Sequence, residues 1–458
     1  MRLVCFTVAL VIGFSSLAVA GERPGTESIA ACDQAAASPY DRDRPAGVAG
    51  VALEKIEPDR AIAACEAAAK AAPEDDRIAM QLGRAYFTAE NYDAARMQFD
   101  RANRMGNALA ATQLAVLYVK GLGGLPADDE EAVRLYKSAA YKGLAVGQLN
   151  LGYFYNYGRG GLAKDEVEAG RLYKLAADQG YAPAQNDLGV YYQQGRGGFP
   201  RDDTEAARYY KRAADQGNAL GRSNLASLYR DGKGGLPKDD FEAARLYKLA
   251  ADQGVPTAQA NLGYFYQEGR GGLPKDDIKA AGLYKLAADK GHAYGQSLLA
   301  FFYENGRGGL PKLETEAARL HRLAADQGNA GSQNALGAYY QTGRGGLQQN
   351  DREALRLYRL AADQGFAAAR NNLGYFYQGG FGGLRKDDSE AARLFRLSAD
   401  QGYALGQFNL AIFYEQGRGG LAKDDYEAAH LLKLAADQGN AKAQTELAEL
   451  NKRLRSAR

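Results

Sequence analysis

The segment Asn218–Gly254, NALGRSNLASLYRDGKGGLPKDDFEAARLYKLAADQG, decides how the chain folds. Its first half carries small or apolar residues at Gly221, Leu225 and Tyr229, an i, i+4, i+8 stripe that Ala226 and Leu228 widen into a buried helical face. Gly232 stops this helix, because glycine enters the left-handed cap conformation without a Cβ clash. A second helix is predicted from Asp239-x-x-Glu242, which has capping-box spacing with aspartate as the N-cap. Ala243, Leu246, Ala250 and Ala251 form its inner face, and a larger side chain than Ala243 would hold the paired helices apart. Gly254 closes the hairpin.

Outward from this segment the pattern recurs without an insertion or deletion. The closing glycines Gly106, Gly143, Gly180, Gly217, Gly254, Gly291, Gly328, Gly365, Gly402 and Gly439 are 37 residues apart and define nine units over residues 107–439. The aspartate–glutamate pair returns as Asp128/Glu131, Asp165/Glu168, Asp202/Glu205, Asp387/Glu390 and Asp424/Glu427. Upstream, Pro73–Gly106 repeats the scheme in 34 residues, with Leu82-Gly83, Tyr86, Tyr92, Ala95, Phe99 and Ala102. Downstream, Asn440 to about Leu454 repeats only the first helix and turns polar and basic, as the terminal cap of a stack should.

The order A-x-x-Q-x-x-L-G-x-x-Y, G-x-G-G, D-x-x-E-A-x-x-L-Y-x-x-A-A-x-Q-G resembles the Sel1-like repeat, a relative of the tetratricopeptide repeat, in an exported bacterial type of protein. Residues 73–106 resemble one ordinary tetratricopeptide repeat. The resemblance implies an all-α fold, a right-handed α-solenoid superhelix of helix-turn-helix repeats. It also implies that ligand peptides bind a concave side lined by the first helices. The expected organisation is a signal peptide at 1–20, an N-terminal segment with short helices at 21–72, a tetratricopeptide-like repeat at 73–106, nine Sel1-like repeats at 107–439 and a C-terminal capping helix at 440–458.

The signal peptide rests on Arg2, an apolar run over residues 3–17 and Ala18-Val19-Ala20, with cleavage expected between Ala20 and Gly21. The chain is therefore expected to be exported, periplasmic or secreted, the rival being a retained N-terminal anchor. Of the 458 residues, 57 are Lys or Arg and 55 Asp or Glu. Such interspersed, balanced charge gives no nucleic-acid footprint. Membrane contact is expected only through a partner, and the protein is expected to be a monomer. Within the N-terminal segment, Asp41–Gly50 reads as a loop and Pro58–Ala71 as an alanine-rich helix. Cys32 and Cys65, alone after cleavage in an oxidising compartment, are expected to form a disulfide worth roughly 3–4 kcal/mol in the chain-entropy model. Two buried free thiols are the alternative.

No catalytic constellation emerges, and neither a cofactor nor a metal is expected. His292 starts a unit, His321 stands where Tyr247 packs, and His430 stands where Arg245 is exposed. They share no ligand spacing with Cys or acidic residues. The recurring G-R-G-G loop could aim backbone N–H groups at an anion, but it lacks the Lys-Ser/Thr ending of a P-loop and is explained by the turn. Paired acids such as Asp239-Asp240 could suggest calcium, but the N-cap explains the aspartate.

Function is then expected on the outward face of the first helices. One column there reads Val116, Tyr153, Val190, Ser227, Tyr264, Phe301, Ala338, Tyr375, Ile412. It is either a binding stripe or packing between neighbouring repeats. A second column holds Asn150, Asn224, Asn261, Asn372 and Asn409, which could bond a ligand backbone or serve the fold. The hexapeptide NLGYFY recurs at 150–155, 261–266 and 372–377, three units apart. Duplication history explains that spacing, as does a motif presented three times for avidity. The favoured reading is a non-catalytic exported scaffold for a protein or peptide partner. Cell-envelope glycan (peptidoglycan) binding through the tyrosine columns is an alternative. A peptidoglycan- or β-lactam-acting enzyme is a second, weakened because the Sel1-like proteins linked to penicillin binding carry cysteine pairs in each repeat and these nine units have none.

Overall fold

A computed structural model describes residues 25–456, so the expected signal peptide and its Ala20–Gly21 cleavage point lie outside the described residues. Among these the chain is all-helical, with 23 α-helices and two short 3-10 turns and no strand. Two compact units are distinguished, one ending at Ala206 and the other starting at Ala207, within the helix Asp203–Asp215. Both are built from the same helical hairpin. No helix of the described residues is long and apolar enough to cross a membrane.

In the segment quoted above, the first helix is Ala219–Asp231 and the second Asp240–Asp252. Gly232 ends the first at φ 64°, and the connection is pinned from both sides. Lys233 N–H donates to the Leu228 carbonyl at 3.0 Å, and Asp239 N–H to that of Tyr229 at 2.9 Å. Asp239 caps the second helix as expected, accepting from Glu242 N–H at 3.0 Å. The expected capping box is only half formed. Asp239 N–H is already taken by Tyr229, so the Glu242 carboxylate turns to Arg245, which donates two bonds at 2.6 and 2.8 Å. Arg171 with Glu168 and Arg356 with Glu353 repeat this pairing.

Packing follows from small residues at the hairpin's closest approach. Ala132, Ala169, Ala206, Ala243, Ala280, Ala317, Ala354, Ala391 and Ala428 occupy one repeat position, and all are fully buried. A ring from the second helix fills the next space: a methyl at Gly263 would come within 2.6 Å of Tyr284. The other side of that ring meets Phe302 of the following unit edge-on, with centroids 5.2 Å apart. Tyr247 with Phe265, Tyr358 with Phe376 and Phe395 with Phe413 repeat the pair. Edge-on pairs of this kind add about 0.5–1.5 kcal/mol beyond the area they bury. Buried glutamines stitch the units further. Gln333 donates to the Ala325 carbonyl of the preceding unit at 3.2 Å and accepts from Gln364 at 2.7 Å.

The N-terminal segment has helices at Thr26–Ala36 and Pro58–Ala71, the first unforeseen. The sulfurs of Cys32 and Cys65 are at bonding distance, 2.01 Å apart. Ile78, Leu82 and Ala85 of the next hairpin complete the core around them. Buried Asp33 pairs with Arg77 and accepts from Gln81 at 2.8 Å. Arg84 donates to the carbonyls of Ala36 and Val51, and its burial pushes the guanidinium down to about 10.

One unit lacks its cap. Leu313 holds the N-cap backbone conformation, φ −138°, but offers no side-chain bond and is exposed. Leu313→Asp should therefore stabilise the protein by about 1 kcal/mol. A thermal melt at neutral pH checks this, and an unchanged or lower melting temperature would count against the capping account.

Candidate functional site

Each first helix carries an aromatic or aliphatic doublet whose two members face opposite ways. In Tyr153-Phe154, Phe301-Phe302 and Tyr375-Phe376 the second ring is buried in the inter-unit pair, while the first is 44, 40 and 46 % exposed respectively. No member of that column from Val116 to Ile412 is buried. Tyr264 is the most covered of its aromatic members, with the Arg270 guanidinium 5.8 Å from its ring centroid. The rings are supported on one side only. Tyr153 leans on Tyr157 at 4.5 Å between centroids, and Tyr375 stacks on Phe381 at 5.3 Å.

The asparagine column is largely committed to the fold. Asn150 Nδ2 donates to the Val146 carbonyl at 2.9 Å, one helical turn back. Asn372 donates to Asn334 of the previous unit at 2.9 Å, and Asn409 to Asn371 at 2.8 Å. Asn224 also has an interaction partner. Asn261 is 8 % exposed, donates to Thr257 O and accepts from Arg230, so it cannot serve as a clamp for a ligand backbone. Steric enclosure by Arg230 is what the repeat pattern alone could not reveal.

The G-R-G-G loops are likewise occupied. Arg270 reaches back to Asp240, the second acid of the preceding doublet, with two bonds at 2.7 and 2.9 Å. Arg159 with Asp129, Arg307 with Asp277 and Arg418 with Asp388 do the same, always 30 residues apart. A methyl at Gly271 would lie 2.3 Å from the Asp240 carbonyl, so the glycine serves this close approach and not a phosphate. In one such pair, hydrogen bonds from Arg196 and Lys164 hold the Glu166 carboxyl down to about 2. This inter-unit pairing was missed by sequence reasoning. Its signal was the constant 30-residue spacing between the second acid and the loop arginine.

The histidines fall at structural positions. His292 caps its helix, Nδ1 accepting from Gly295 N–H at 3.2 Å as Asn218 Oδ1 does from Gly221. His430 is exposed. His321 fills the tyrosine place, with Nδ1 3.1 Å from Ser332 Oγ and Nε2 3.4 Å from Glu304 Oε1. The order Ser–His–Glu looks like a nucleophile relay, but Ser332 is fully buried, and no acyl group could reach its hydroxyl. Among the described residues no group of His, Cys, Asp and Glu could hold a metal ion.

The family model of the Sel1 repeat matches nine successive segments, 108–144, 145–181, 182–218, 219–255, 256–292, 293–329, 330–366, 367–403 and 404–440. The crystal structure of c5321, a protective antigen of uropathogenic Escherichia coli strains with an SLR fold, is similar at 32% identity and TM-score 0.55. That match covers 88% of this chain and 82% of the antigen. A Sel1 repeat protein from Oxalobacter formigenes is 30% identical at TM-score 0.47, over 54% of this chain and 96% of its own. No curated protein matches the chain.

Asp187 departs from the asparagine column. Burial pushes its carboxyl up to about 6, only partly offset by the bond from Asn186 at 3.0 Å. A folded-state pKa above the unfolded value means that this carboxyl favours the fold fully below about pH 3.8, and that the benefit is lost as pH rises through about 6. At neutral pH the buried charge is a liability on the order of 1–3 kcal/mol. Asp187→Asn should raise the melting temperature by a few degrees at pH 7.5 and change it little at pH 4. Equal effects at both pH values, or destabilisation at pH 7.5, would contradict this account.

Proposed function

Since the chain belongs to the Sel1-repeat family, we propose that it is a non-catalytic, exported scaffold that binds a protein or peptide partner through the aromatic column of its first helices. Sel1-type solenoids generally mediate protein–protein interaction, and the family is typically non-enzymatic. The single observation that carries the assignment to this column is its half-exposed rings. Tyr153, Phe301 and Tyr375 stay outward on rigid helices although their neighbours Phe154, Phe302 and Phe376 are buried. Exposed aromatic rings held by a stiff backbone supply contact area at little entropic cost, which is the property of a binding hot spot. Export rests on the N-terminal pattern before Gly21 and on the paired Cys32 and Cys65, which suit an oxidising compartment.

The test is a pull-down of tagged mature protein from envelope extract, followed by affinity measurement with the recovered partner. Replacing Tyr153, Tyr264 and Tyr375 together by alanine should leave helicity and melting temperature nearly unchanged and weaken partner binding by roughly tenfold or more. A large fall in melting temperature would return the tyrosines to the core. Retention of peptidoglycan instead of protein would favour the glycan reading.

A further inference from the structure

The N-terminal loop of this chain already shows what the edge of the repeat turns can hold. Arg42 Nη2 donates to the Gly143 carbonyl at 2.6 Å and to Gln179 Oε1 at 2.5 Å. Tyr40 meets Tyr181 edge-on, centroids 5.1 Å apart. The loop is braced for this by Arg44, which donates to Val48 O and Ser38 O at 2.9 and 2.8 Å. Gly143 closes the helix Asp129–Tyr141, whose last carbonyls lack helical partners and carry the negative end of its dipole. A cation is favoured there for both reasons. Lysines use neighbouring turns in the same way: Lys142 Nζ donates to Gly106 O at 2.8 Å and Lys290 Nζ to Gly254 O at 2.6 Å.

A shift of four units, 148 residues, carries Gly106, Lys142, Gly143 and Gln179 onto Gly254, Lys290, Gly291 and Gln327. The hydrogen bonds shift with them. Gln179 Nε2 donates to Gln148 Oε1 at 2.7 Å and Leu175 O at 3.2 Å, and Gln327 Nε2 donates to Gln296 Oε1 at 2.9 Å and Leu323 O at 3.1 Å. Both amides are therefore turned the same way, their Oε1 directed away from the donors that fix them. In the second place no loop of this kind contributes to the lining, and a groove of about 510 Å³ lies there, bounded by Thr257, Gly291, His292, Tyr294, Gln327 and Asn329. Lys290 does not oppose a second cation, since Lys142 stands in the same relation to Arg42.

We propose that this groove is an open copy of the Arg42 seat and takes an arginine on an extended segment of a partner protein. The guanidinium would bond Gly291 O and Gln327 Oε1 at the end of the helix Asp277–Asp289, repeating the pattern at Gly143 and Gln179. Tyr181 is replaced by Asn329, so the arginine and not a preceding aromatic is the anchor. Tyr294, 41 % exposed where the filled seat has Val146, gives the groove an aromatic wall. The occupant is another polypeptide, because this chain's own arginine is seated at Gly143. The site is separate from the aromatic column and stands or falls independently of it.

A fluorescent peptide of residues 38–46, SPYDRDRPA, titrated against the full chain and followed by anisotropy, tests the proposal. One peptide should bind per chain, and replacing the peptide's Arg42 by alanine should weaken binding roughly five- to tenfold. Gln327→Ala should cause a similar loss with unchanged helicity. Gln327→Glu, which keeps an acceptor and adds charge, should retain or tighten binding. The triple tyrosine variant should bind the peptide as the wild type does, which separates this site from the column. No binding at millimolar peptide, or binding indifferent to the arginine and to Gln327, would overturn the proposal. Self-association abolished by Arg42→Ala would assign the groove to a second copy and overturn the partner assignment.

Discussion

One buried ring per unit ties this chain together in two directions at once. Tyr284 lies against Gly263 within its own hairpin and edge-on to Phe302 of the next, so the same side chain fixes the approach of two helices and the stacking of two units. A residue inserted anywhere between these partners would rotate one helix by about 100° and take the ring out of its socket. The unbroken 37-residue period is the consequence. His321 shows what the socket accepts. It fills the tyrosine place, its ring 6.3 Å from Tyr339, and satisfies its nitrogens on Ser332 and Glu304.

Once that ring is placed, the polarity of the remaining surface follows. The residue before each inward aromatic has to point out, which is why the column containing Tyr153, Phe301 and Tyr375 is half-exposed. Loop arginines and second acids, such as Arg270 and Asp240, meet across the seam between units. Surface pairs of this kind contribute little stability individually, about 0–1 kcal/mol, so their role is to align neighbours that apolar burial already holds. The glutamines of the turns do the same work with neutral groups. They leave at each turn a glycine carbonyl and, where the amide is fixed as in Gln179 and Gln327, an outward oxygen.

Features set by local chemistry were legible in the sequence. Gly232, Asp239 and Ala243 state the end, the start and the closest approach of two helices in residue type alone, and the structure places each accordingly. Features set by partners far along the chain were not. The helix Thr26–Ala36 is weakly amphipathic, and its place depends on Asp33 meeting Arg77 and Gln81 and on Cys32 meeting Cys65. Glu242 has the right spacing for a box but is drawn to Arg245, because the N–H it would bond is taken by Tyr229. Asn261 looked available in its column, yet Arg230 of the previous unit covers it. The seat of Arg42 has no local signature, since it joins a loop to turns more than 100 residues away.

The central claim is that the units are interchangeable because each makes the same two-way ring contact with its neighbours. Removing residues 219–329, three matched repeats, tests this most directly, since the cut ends then meet in register. The account predicts that the shortened chain keeps the helicity per residue of the parent and unfolds cooperatively, with a melting temperature within roughly 5–10 °C. A shortened chain that is aggregated, or that has lost its cooperative transition, would contradict it.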